Sequence, residues 1–525
     1  MKKIILFLVM CCVAVLATVA FCPYHPSQDN VQFITILHTN DHHGQLDPFD
    51  KGEHEKIGGI TVVASMVQDI RKEVEAKHGS TLLFDCGDVN TGDPVSNHFK
   101  AEPDIKVMNF MKYNAMTLGN HEFDLTLKEL QKQEQLAEFP YLSANVVYSE
   151  TNQPIFKTNI ILNVQGLKIG VFGISHPRTS FTSTHGGNEQ IKFLNPEETI
   201  PTVLNELKNK NVDYIIALMH LEPELTQKLA EQFPAINLIL GGHSHTPIMK
   251  AIKVGKTWIA EAGSNSMMLG KWDLEFRNKK LEKIDYKLCG VNFTKTYKEN
   301  GQIVCMPYGK TYKANEEAEK ILQPYKDEMK ELLVVLGTAT ENITKNDRLE
   351  EFRSSPLGNL LCDAMKEECQ EDKVDIVLQN TGGIRADLQK GEITKKSIAT
   401  ILPFNNTIVI YKMERSDIEN ILKHMVSGNV QPGGYLEVTG LKAQLENMNL
   451  KSLKLKKPIN KTKYYYVAVN SFTADGGDGY TMLKEMQPYK KLDTTLAEAL
   501  GNYIKKHKTV SPNKEIRIEW KQANN

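Results

Sequence analysis

Side chains that suit metal coordination recur directly after apolar, strand-like runs in the first half of the chain. The clearest group is the tetrapeptide Gly-Asn-His-Glu at 119–122, which follows the apolar Ala115 and Met116. Similar clusters follow other apolar runs, and the donors they offer are Asp41, His43, Asp88, Asn120, His220, His243 and His245. Because the carboxyl ends of strands in one sheet meet at one rim, we expect these side chains to lie close together.

Imidazole, amide and carboxylate ligands in this combination suit two divalent cations that share a carboxylate. Such donors favour Zn²⁺ or Mn²⁺ over Ca²⁺, with Co²⁺ and Mg²⁺ as further candidates. Two such cations would lower the pKa of a shared water and withdraw charge from phosphoryl oxygens. A single histidine after a strand is usually a surface or capped residue, so it is the recurrence that favours a metal centre. Four histidines lack this placement and are interpreted as structural: His38, His42, His54 and His78.

The elements that must position these donors alternate between strands and helices. Strand-like runs precede the polar clusters at residues 31–37, 81–84, 213–219 and 237–240. A helix with one buried face is predicted by apolar residues at three- and four-residue spacing, namely Ile60, Val63, Val67, Ile70 and Val74. Residues 102–112 also have a helical pattern. This alternation, without an internal repeat, predicts a layered α/β domain.

Length and charge limit the remaining classes of protein. The chain has 525 residues, enough for two domains with full cores, and its formal net charge of −1 gives no support for a nucleic acid polymer as partner. Lys2 and Lys3 precede an apolar run at residues 4–21, which predicts a signal peptide over residues 1–22 and export to the periplasm or the medium. A permanent membrane anchor is the alternative. No other apolar run of this length occurs, so no further membrane contact is expected.

Cysteine spacing favours at most one disulfide. Cys362 and Cys369 lie in a predicted helix, about 10.5 Å apart along its axis at 1.5 Å per residue, beyond the ~7 Å that a bridge spans. Cys86 is interpreted as a buried thiol at a strand end. Cys289 and Cys305 flank a loop-like stretch and are the candidate pair.

A change of character near residue 313 separates two domains. Residues 313–331 are rich in Glu, Lys and Ala, which predicts a solvent-exposed helix joining them. We expect one domain at residues 31–312, a linker helix at 313–335 and a second domain at 336–525. In that domain Phe404 and Phe472 lie on loops rich in Gly and Asn. Two such rings could clamp a nucleobase, with stacking of ~1–3 kcal/mol per base, or they could simply belong to the core.

Three motifs together resemble the 5′-nucleotidase family of the calcineurin-like metallophosphatase superfamily. They are Asn-Asp-His-His-Gly at 40–44, Gly-Asn-His-Glu-Phe-Asp at 119–124 and Gly-Gly-His-Ser-His at 241–245. The resemblance implies an α/β fold whose N-terminal domain has four layers, a β-sandwich flanked by helices. A linker helix and an α+β substrate domain would follow. It also implies that Asp88 bridges two ions, one held by Asp41, His43 and His245, the other by Asn120, His220 and His243.

Roles for other residues follow from the same resemblance. His121, Asp124 and Asn120 are the catalytic candidates, with Asp124 orienting His121 as a donor to a phosphoryl or leaving oxygen. A local helix N-cap is the alternative role for Asp124. The implied substrate contacts are Asn380, Gly382, Arg385, Arg353, Phe404, Phe472 and Asp478, with the two rings around the base and Asp478 on the ribose. One departure is that Glu351 stands where several members carry Arg, so either Arg353 is its substitute or the phosphate contacts differ.

We therefore expect an exported dinuclear metallohydrolase that releases phosphate from nucleoside 5′-monophosphates, with UDP-sugars and dinucleotides as further candidate substrates. One alternative is a 2′,3′-cyclic-nucleotide 2′-phosphodiesterase with 3′-nucleotidase activity, which would share the metal ligands. Another is a non-catalytic exported nucleoside-binding protein, which would be expected to have lost ligands. The sequence specifies neither base preference nor oligomeric state.

Overall fold

The computed structural model describes residues 31–179, 190–299, 302–345, 351–427, 430, 432–447, 449–456 and 463–521. The predicted signal peptide, residues 1–22, lies outside this part of the chain. Within it, no helix combines the length and the apolar character needed to cross a membrane.

Two six-stranded sheets form the centre of the N-terminal body. The first contains, in spatial order, Lys280–Gly290, Met268–Arg277, Val31–Thr39, Ser80–Asp85, Ala115–Thr117 and Tyr141–Leu142. The second contains Ile252–Val254, Thr257–Glu261, Leu238–Gly242, Tyr214–His220, Leu167–Ile174 and Asn159–Val164. Two-stranded pairs join Phe49–Lys51 to His54–Ile57, Val146–Tyr148 to Ile191–Phe193, and Tyr297–Glu299 to Gln302–Cys305.

The two sheets face each other across an apolar core. Residues of the first sheet such as Ile36 and Phe84 pack with Ile216 and Leu240 of the second. Tyr214–His220 is buried at every position because sheet, core and helices cover both of its faces. This explains why the strands that carry the polar clusters are continuous apolar runs rather than alternating ones.

Helices cover the outer face of each sheet. On the first sheet they are Ile60–Glu75, Pro94–His98, Glu102–Met111 and Leu127–Leu136, and on the second Pro196–Asn209 and Pro223–Gln232. The helix Ile60–Glu75 buries all of its predicted face, including Val63 and Val67. The result is the four-layer arrangement of helices and β-sandwich, so the predicted fold class is confirmed.

The linker helix is Glu316–Glu328, and it packs against the N-terminal body instead of standing in solvent. Ala318 and Leu322 are buried in the core cluster of that body, and the Tyr325 hydroxyl donates to Glu102 at 2.6 Å. The prediction of a solvent-exposed helix was therefore wrong in this respect. Its apolar residues lie on one face, and burial of that face stabilises the docked position.

The C-terminal body is built on a five-stranded sheet covered on both faces. Its strands are Leu436–Thr439, Ile376–Asn380, Tyr465–Asn470, Thr407–Met413 and Lys490–Thr495. A smaller sheet contains the four strands Glu351–Arg353, Ile518–Lys521, Leu441–Glu446 and Asn449–Leu455. Another contains the three strands Gly391–Thr394, Val335–Ala339 and Thr509–Val510. The helices are Pro356–Glu368, Lys395–Ile401, Arg415–Met425, Ser471–Ala474, Thr481–Glu485 and Leu496–His507. This arrangement is the α+β domain that was expected.

The five cysteines that the structure describes are all free and buried. The predicted bridge between Cys289 and Cys305 was therefore wrong. Each thiol faces a backbone carbonyl instead. Cys289 Sγ lies 3.7 Å from the carbonyl of Lys287, and Cys305 Sγ lies 3.5 Å from the carbonyl of Met306. Burial raises the pKa of both thiols to about 12, so neither is a thiolate at neutral pH.

Candidate metal centre and phosphate site

The seven predicted metal ligands come from the carboxyl ends of strands in both sheets and meet at one end of the sandwich. Asp41 Oδ1 lies 3.2 Å from His245 Nε2, and His43 Nε2 lies 3.0 Å from the same nitrogen. These three residues place their donor atoms within 4.8 Å of one another. They form the first of two adjoining groups of candidate ligands, the first ligand group.

The second ligand group contains Asp88, His220 and His243, whose donor atoms also lie within 4.8 Å of one another. His220 Nε2 is 3.2 Å from Asp88 Oδ2, and the amide oxygen of Asn120 is 2.9 Å from His243 Nδ1. Asp88 Oδ2 is also 4.0 Å from His43 Nε2 in the first group. Asp88 therefore lies between the two groups, where a bridging carboxylate would be.

Several buried atoms of the two groups fit divalent cations. Asp41 Oδ1 and His220 Nε2 are buried and have no hydrogen-bond partner, an arrangement that costs free energy unless a cation satisfies the atoms. The Nδ1 atoms of His43 and His220 face the carbonyl oxygens of Thr91 at 2.9 Å and Cys86 at 2.8 Å. Because these Nδ1 atoms donate to carbonyls, Nε2 is the ring nitrogen that faces the centre and would bind a cation.

Charge in the centre is balanced between buried carboxylates and imidazoles. Burial disfavours charge on His220 and Asp88, but their mutual attraction outweighs it. It raises the pKa of His220 to about 10 and lowers the pKa of Asp88 well below its usual range. Asp88 is therefore an anion, as a bridging ligand must be.

Five of the seven ligand residues have left-handed backbone conformations. Their φ angles are +50° at Asp41, +49° at His43, +58° at Asp88, +86° at His243 and +57° at His245. Such conformations cost of order 1–3 kcal/mol each and persist where the surroundings impose them, often at functional sites. Here backbone hydrogen bonds tie the ligand loops together, among them the bond from His43 N–H to the Asp88 carbonyl at 2.9 Å.

Two buried glutamates that were not predicted hold the ligand loops in place. Glu122 accepts N–H bonds from Asp88, Val89, Asn90 and Gly119 at 2.7–3.1 Å. Glu261 accepts from the Ser244 hydroxyl at 2.9 Å, between the two histidines of the Gly-Gly-His-Ser-His motif. Glu261 ends an apolar strand, so the rule that identified the ligands would also have found it.

His121 stands beside the centre as a hydrogen-bond donor. Its Nδ1 donates to Asp124 Oδ2 at 2.6 Å, and the same oxygen accepts from the Thr91 hydroxyl at 2.8 Å. Burial lowers the pKa of His121, but Asp124 and Asp88 raise it by more, so the net shift is upward. The following helix is capped by Thr126 in a capping box with Glu129, so Asp124 is not its N-cap.

The C-terminal body reaches the same centre with a cation and an aromatic ring. Arg385 is half-buried and feels the negative charge of Asp88, Asp124 and Asp41. Its guanidinium carbon lies 6.0 Å from the ring centroid of Phe404. The Phe404 ring is in turn 5.9 Å from the imidazole of His121. Groups from both bodies therefore surround one site, which combines metal donors, an imidazole and an arginine.

Comparison with known proteins identifies the family of this chain. Residues 34–247 match the calcineurin-like phosphoesterase family, and residues 335–485 match the 5′-nucleotidase C-terminal domain. The chain is 32% identical over 513 residues to Protein UshA of Yersinia enterocolitica, which spans 91% of this chain and 92% of that protein. The chain belongs to the 5′-nucleotidase family. It is thus a metal-dependent phosphoric monoester hydrolase with a fold that implies divalent cations.

Two further relatives of this 5′-nucleotidase family member cover almost the whole chain. A 5′-nucleotidase of Vibrio parahaemolyticus is 31% identical over 541 residues, or 95% of this chain and 94% of that one. The crystal structure of a 5′-nucleotidase precursor from Thermus thermophilus has a TM-score of 0.82 at 28% identity. It covers 94% of this chain and 100% of its own. Both bodies therefore have counterparts in the family.

The loops that the 5′-nucleotidase resemblance assigns to substrate lie at one edge of the C-terminal sheet. Asn380 Nδ2 donates to Asp478 Oδ2 at 2.8 Å. Burial raises the pKa of Asp478 to about 6, although this bond from Asn380 opposes the shift. A Cβ at Gly477 would lie 2.5 Å from the half-buried Phe472 ring, so a larger residue at this position would displace the ring. Gly382 lies against Gly433 of a neighbouring loop.

Arg353, the expected substitute for a missing arginine, is engaged elsewhere in this structure. Its Nε lies 3.1 Å from Glu519 Oε1 on the adjacent strand, and 45% of its side chain is exposed. The side chain of Glu351 is outside the described part of the structure. A phosphate contact from Arg353 therefore stays a prediction.

Direct contacts hold the two bodies together near the site. Lys396 Nζ lies 3.3 Å from Asp93 Oδ2, and Asn97 Nδ2 donates to the carbonyl of Pro403 at 3.3 Å. Pro403 precedes Phe404, so these contacts fix the loop that carries the aromatic ring.

Proposed function

We propose that this family member is an exported 5′-nucleotidase that releases phosphate from nucleoside 5′-monophosphates at a centre of two divalent cations, Zn²⁺ or Mn²⁺. The observation that carries the proposal is the position of Phe404 and Arg385 beside His121. A stacking ring and a phosphate-binding cation from one body meet the metal donors of the other. A ligand with a flat base and a phosphate fits both.

Each group beside the ions has a role in this reaction. When bound, the two cations acidify water and neutralise phosphoryl charge. His121, held by Asp124, donates a hydrogen bond to a phosphoryl oxygen or to the leaving 5′ oxygen. Arg385 offers a planar fork to the phosphate. Asn120 faces the centre from the residue before His121 and completes the second ligand group.

The nucleoside would be held by the C-terminal loops. Phe404 and Phe472 stack on the base, and Asp478 accepts hydrogen bonds from the ribose hydroxyls while Asn380 orients it. Gly382 allows close approach of backbone to the ligand. The proposed domains are the metallophosphatase domain at residues 31–312, the linker helix at 313–335 and the nucleotide-binding domain at 336–525.

The proposal is tested on the purified protein with Zn²⁺, Mn²⁺, Co²⁺ or Mg²⁺, by phosphate release from the monoesters and by chromatography of the nucleotide products from the other substrates. The panel contains 5′-AMP, 3′-AMP, 2′,3′-cyclic AMP, UDP-glucose and a dinucleotide. We expect the highest kcat/KM with a nucleoside 5′-monophosphate. A preference for 2′,3′-cyclic AMP would contradict the proposal, and so would the absence of hydrolysis with every metal.

Loss of the base clamp should weaken nucleotide binding and leave the hydrolysis step itself almost unchanged. In Phe404→Ala and Phe472→Ala, KM for 5′-AMP is expected to rise about tenfold, because stacking contributes ~1–3 kcal/mol. Hydrolysis of p-nitrophenyl phosphate, which has no base, should change much less. Tyr489→Ala removes an exposed aromatic ring of the same body and serves as control. Wild-type KM for 5′-AMP in both phenylalanine variants would refute the clamp.

Removal of the donor beside the metals should slow the chemical step. His121→Ala is expected to lower kcat for 5′-AMP by roughly 10²–10⁴-fold, with metal content unchanged. If His121 protonates the leaving oxygen, p-nitrophenyl phosphate should be affected much less, because its phenolate leaves without a proton. His98→Ala removes an exposed imidazole and should leave kcat unchanged. An unchanged kcat in His121→Ala would leave this residue only a structural role.

A further inference from the structure

Two residues outside the predicted ligand set contact the second ligand group. His176 follows the strand Leu167–Ile174, and Glu222 lies two residues after His220 at the N-cap of the helix Pro223–Gln232. Glu222 makes no side-chain cap bond to that helix. Its carboxylate instead faces two imidazoles, those of His176 and His243.

Hydrogen bonds fix the tautomer of His176. The backbone N–H of Arg178 donates to His176 Nδ1 at 3.0 Å, so this nitrogen carries a lone pair. The proton is therefore on Nε2, which donates to Glu222 Oε2 at 2.6 Å. The ring is 1% exposed and stacks on His243 with centroids 4.6 Å apart and planes at 27°. Both the position and the direction of this donor are set by the fold.

The other oxygen of Glu222 points to a metal ligand. Glu222 Oε1 lies 3.6 Å from His243 Nε2, while His243 Nδ1 faces the Asn120 amide oxygen at 2.9 Å. With a cation bound beside Asn120, a proton on Nε2 directed at the carboxylate would leave the Nδ1 lone pair for that cation. Carboxylates that receive the second N–H of a ligating histidine fix its tautomer and raise its basicity.

We infer that His176 and Glu222 are positioning residues that set the tautomer and ring orientation of His243 for the second cation. The hydrogen bond from His176 fixes the Glu222 carboxylate, and this carboxylate in turn orients the imidazole of His243. This inference rests on the dinuclear centre proposed above. The pair lies on the Nε2 side of His243 and Asn120 on its Nδ1 side, so the inferred role of the pair is exerted through His243.

A third cation between His176, Glu222 and His243 is the competing explanation, since their donor atoms lie within 4.8 Å of one another. Two observations disfavour it. His176 Nε2 carries a proton and has no lone pair to offer, and its 2.6 Å bond to Glu222 leaves no room for an ion between them. The hydrogen bond between His176 and Glu222 already satisfies the Nε2 and Oε2 atoms of these two side chains.

The test measures Mn²⁺ binding to the metal-free full chain by calorimetry and by electron paramagnetic resonance. For Glu222→Gln we expect the second Mn²⁺ to bind about 10–100-fold more weakly, while the first binds as in wild type. At one added equivalent of Mn²⁺ per site, wild type should give the spin-coupled signal of a Mn²⁺ pair. Glu222→Gln should instead give the six-line signal of an isolated Mn²⁺ ion. Glu224→Gln changes an exposed carboxylate of the same helix and should bind as wild type.

A double-mutant cycle distinguishes positioning from general damage to the fold. Because His176 acts through Glu222, His176→Asn combined with Glu222→Gln should weaken the second site no more than Glu222→Gln alone. Additive losses, or a second affinity in Glu222→Gln equal to that of wild type, would overturn the inference. Binding of three Mn²⁺ to wild type but two to Glu222→Gln would also overturn it, in favour of a third cation.

The wild-type titration separates this inference from the proposed function. A wild-type chain that binds a single Mn²⁺ refutes the dinuclear centre, whatever the variants do. A wild-type chain that binds two, together with an unchanged Glu222→Gln, refutes only the role of the pair.

Discussion

Asp88→Asn is expected to lower kcat/KM for 5′-AMP at least about 10³-fold, because a two-ion site supplies several kcal/mol of charge stabilisation and each ~1.4 kcal/mol is tenfold in rate. Asp88 is 2% exposed and lies 3.2 Å from His220 and 4.0 Å from His43, one residue of each ligand group. An amide in its place cannot carry the anionic charge that both ions share. Metal content per chain, measured by mass spectrometry, should fall together with activity.

Asp85→Asn is a matched control on the same strand end. Burial raises the pKa of Asp85 to about 8, so this carboxyl group is largely neutral at pH 7 and an amide is close to it in charge and shape. Its partners are the Thr39 hydroxyl at 2.6 Å and the Gly87 N–H at 2.8 Å, and an amide can bond to both. Activity within tenfold of wild type in Asp88→Asn, with two ions retained, would contradict the bridging role.

The sequence could predict that the candidate metal ligands lie together, because the fold places them by a local rule. A strand buried on both faces is a continuous apolar run, and the first polar residues after it lie at the rim of the sheet. Asp88 and His220 obey this rule directly, and the structure brings them within 3.2 Å. His176 and Glu261 obey it equally well. They were missed because neither lies in the three motifs that carry the family resemblance.

Other features depend on contacts that a single sequence does not contain. Whether Cys289 and Cys305 meet depends on the angle at which two hairpins pack, and both thiols turned toward carbonyls instead. The surface that receives Ala318 of the linker helix is formed by distant helices of the N-terminal body. The left-handed φ of +58° at Asp88 likewise reflects hydrogen bonds to Glu122, far along the chain.

The way in which the two bodies meet leads us to expect motion during turnover. Phe404 and Arg385 of one body approach His121 of the other, so a bound nucleotide would lie between them. Asp93 has a side chain only 9% exposed where it meets Lys396, so the bodies touch directly beside the site. Substrate must enter and product must leave through this junction. Opening and closing about a hinge is a common solution to this requirement.

A reversible cross-link across this junction is therefore expected to abolish multiple turnover. The variant carries Asp93→Cys and Lys396→Cys in a chain that starts at Pro23, joined by a short bis-maleimide linker that contains a cleavable disulfide. The five cysteines described in the native structure are buried and should not react. Phosphate release from 5′-AMP should stop after about one equivalent in chains linked with substrate bound. Mn²⁺ binding should persist, since neither position is a ligand.

Controls for the cross-link follow from the roles of the two residues. Asp93 also caps the helix Pro94–His98 by accepting from Val95 N–H at 2.8 Å, so Asp93→Cys alone is expected to cost about 1 kcal/mol of stability. Each single-cysteine variant treated with the linker measures that effect without a bridge. Reduction of the linker should restore turnover to the level of the unlinked double variant. A rigid cleft that is already aligned would instead give full multiple turnover while linked, because substrate would then reach His121 and Arg385 without separation of the bodies.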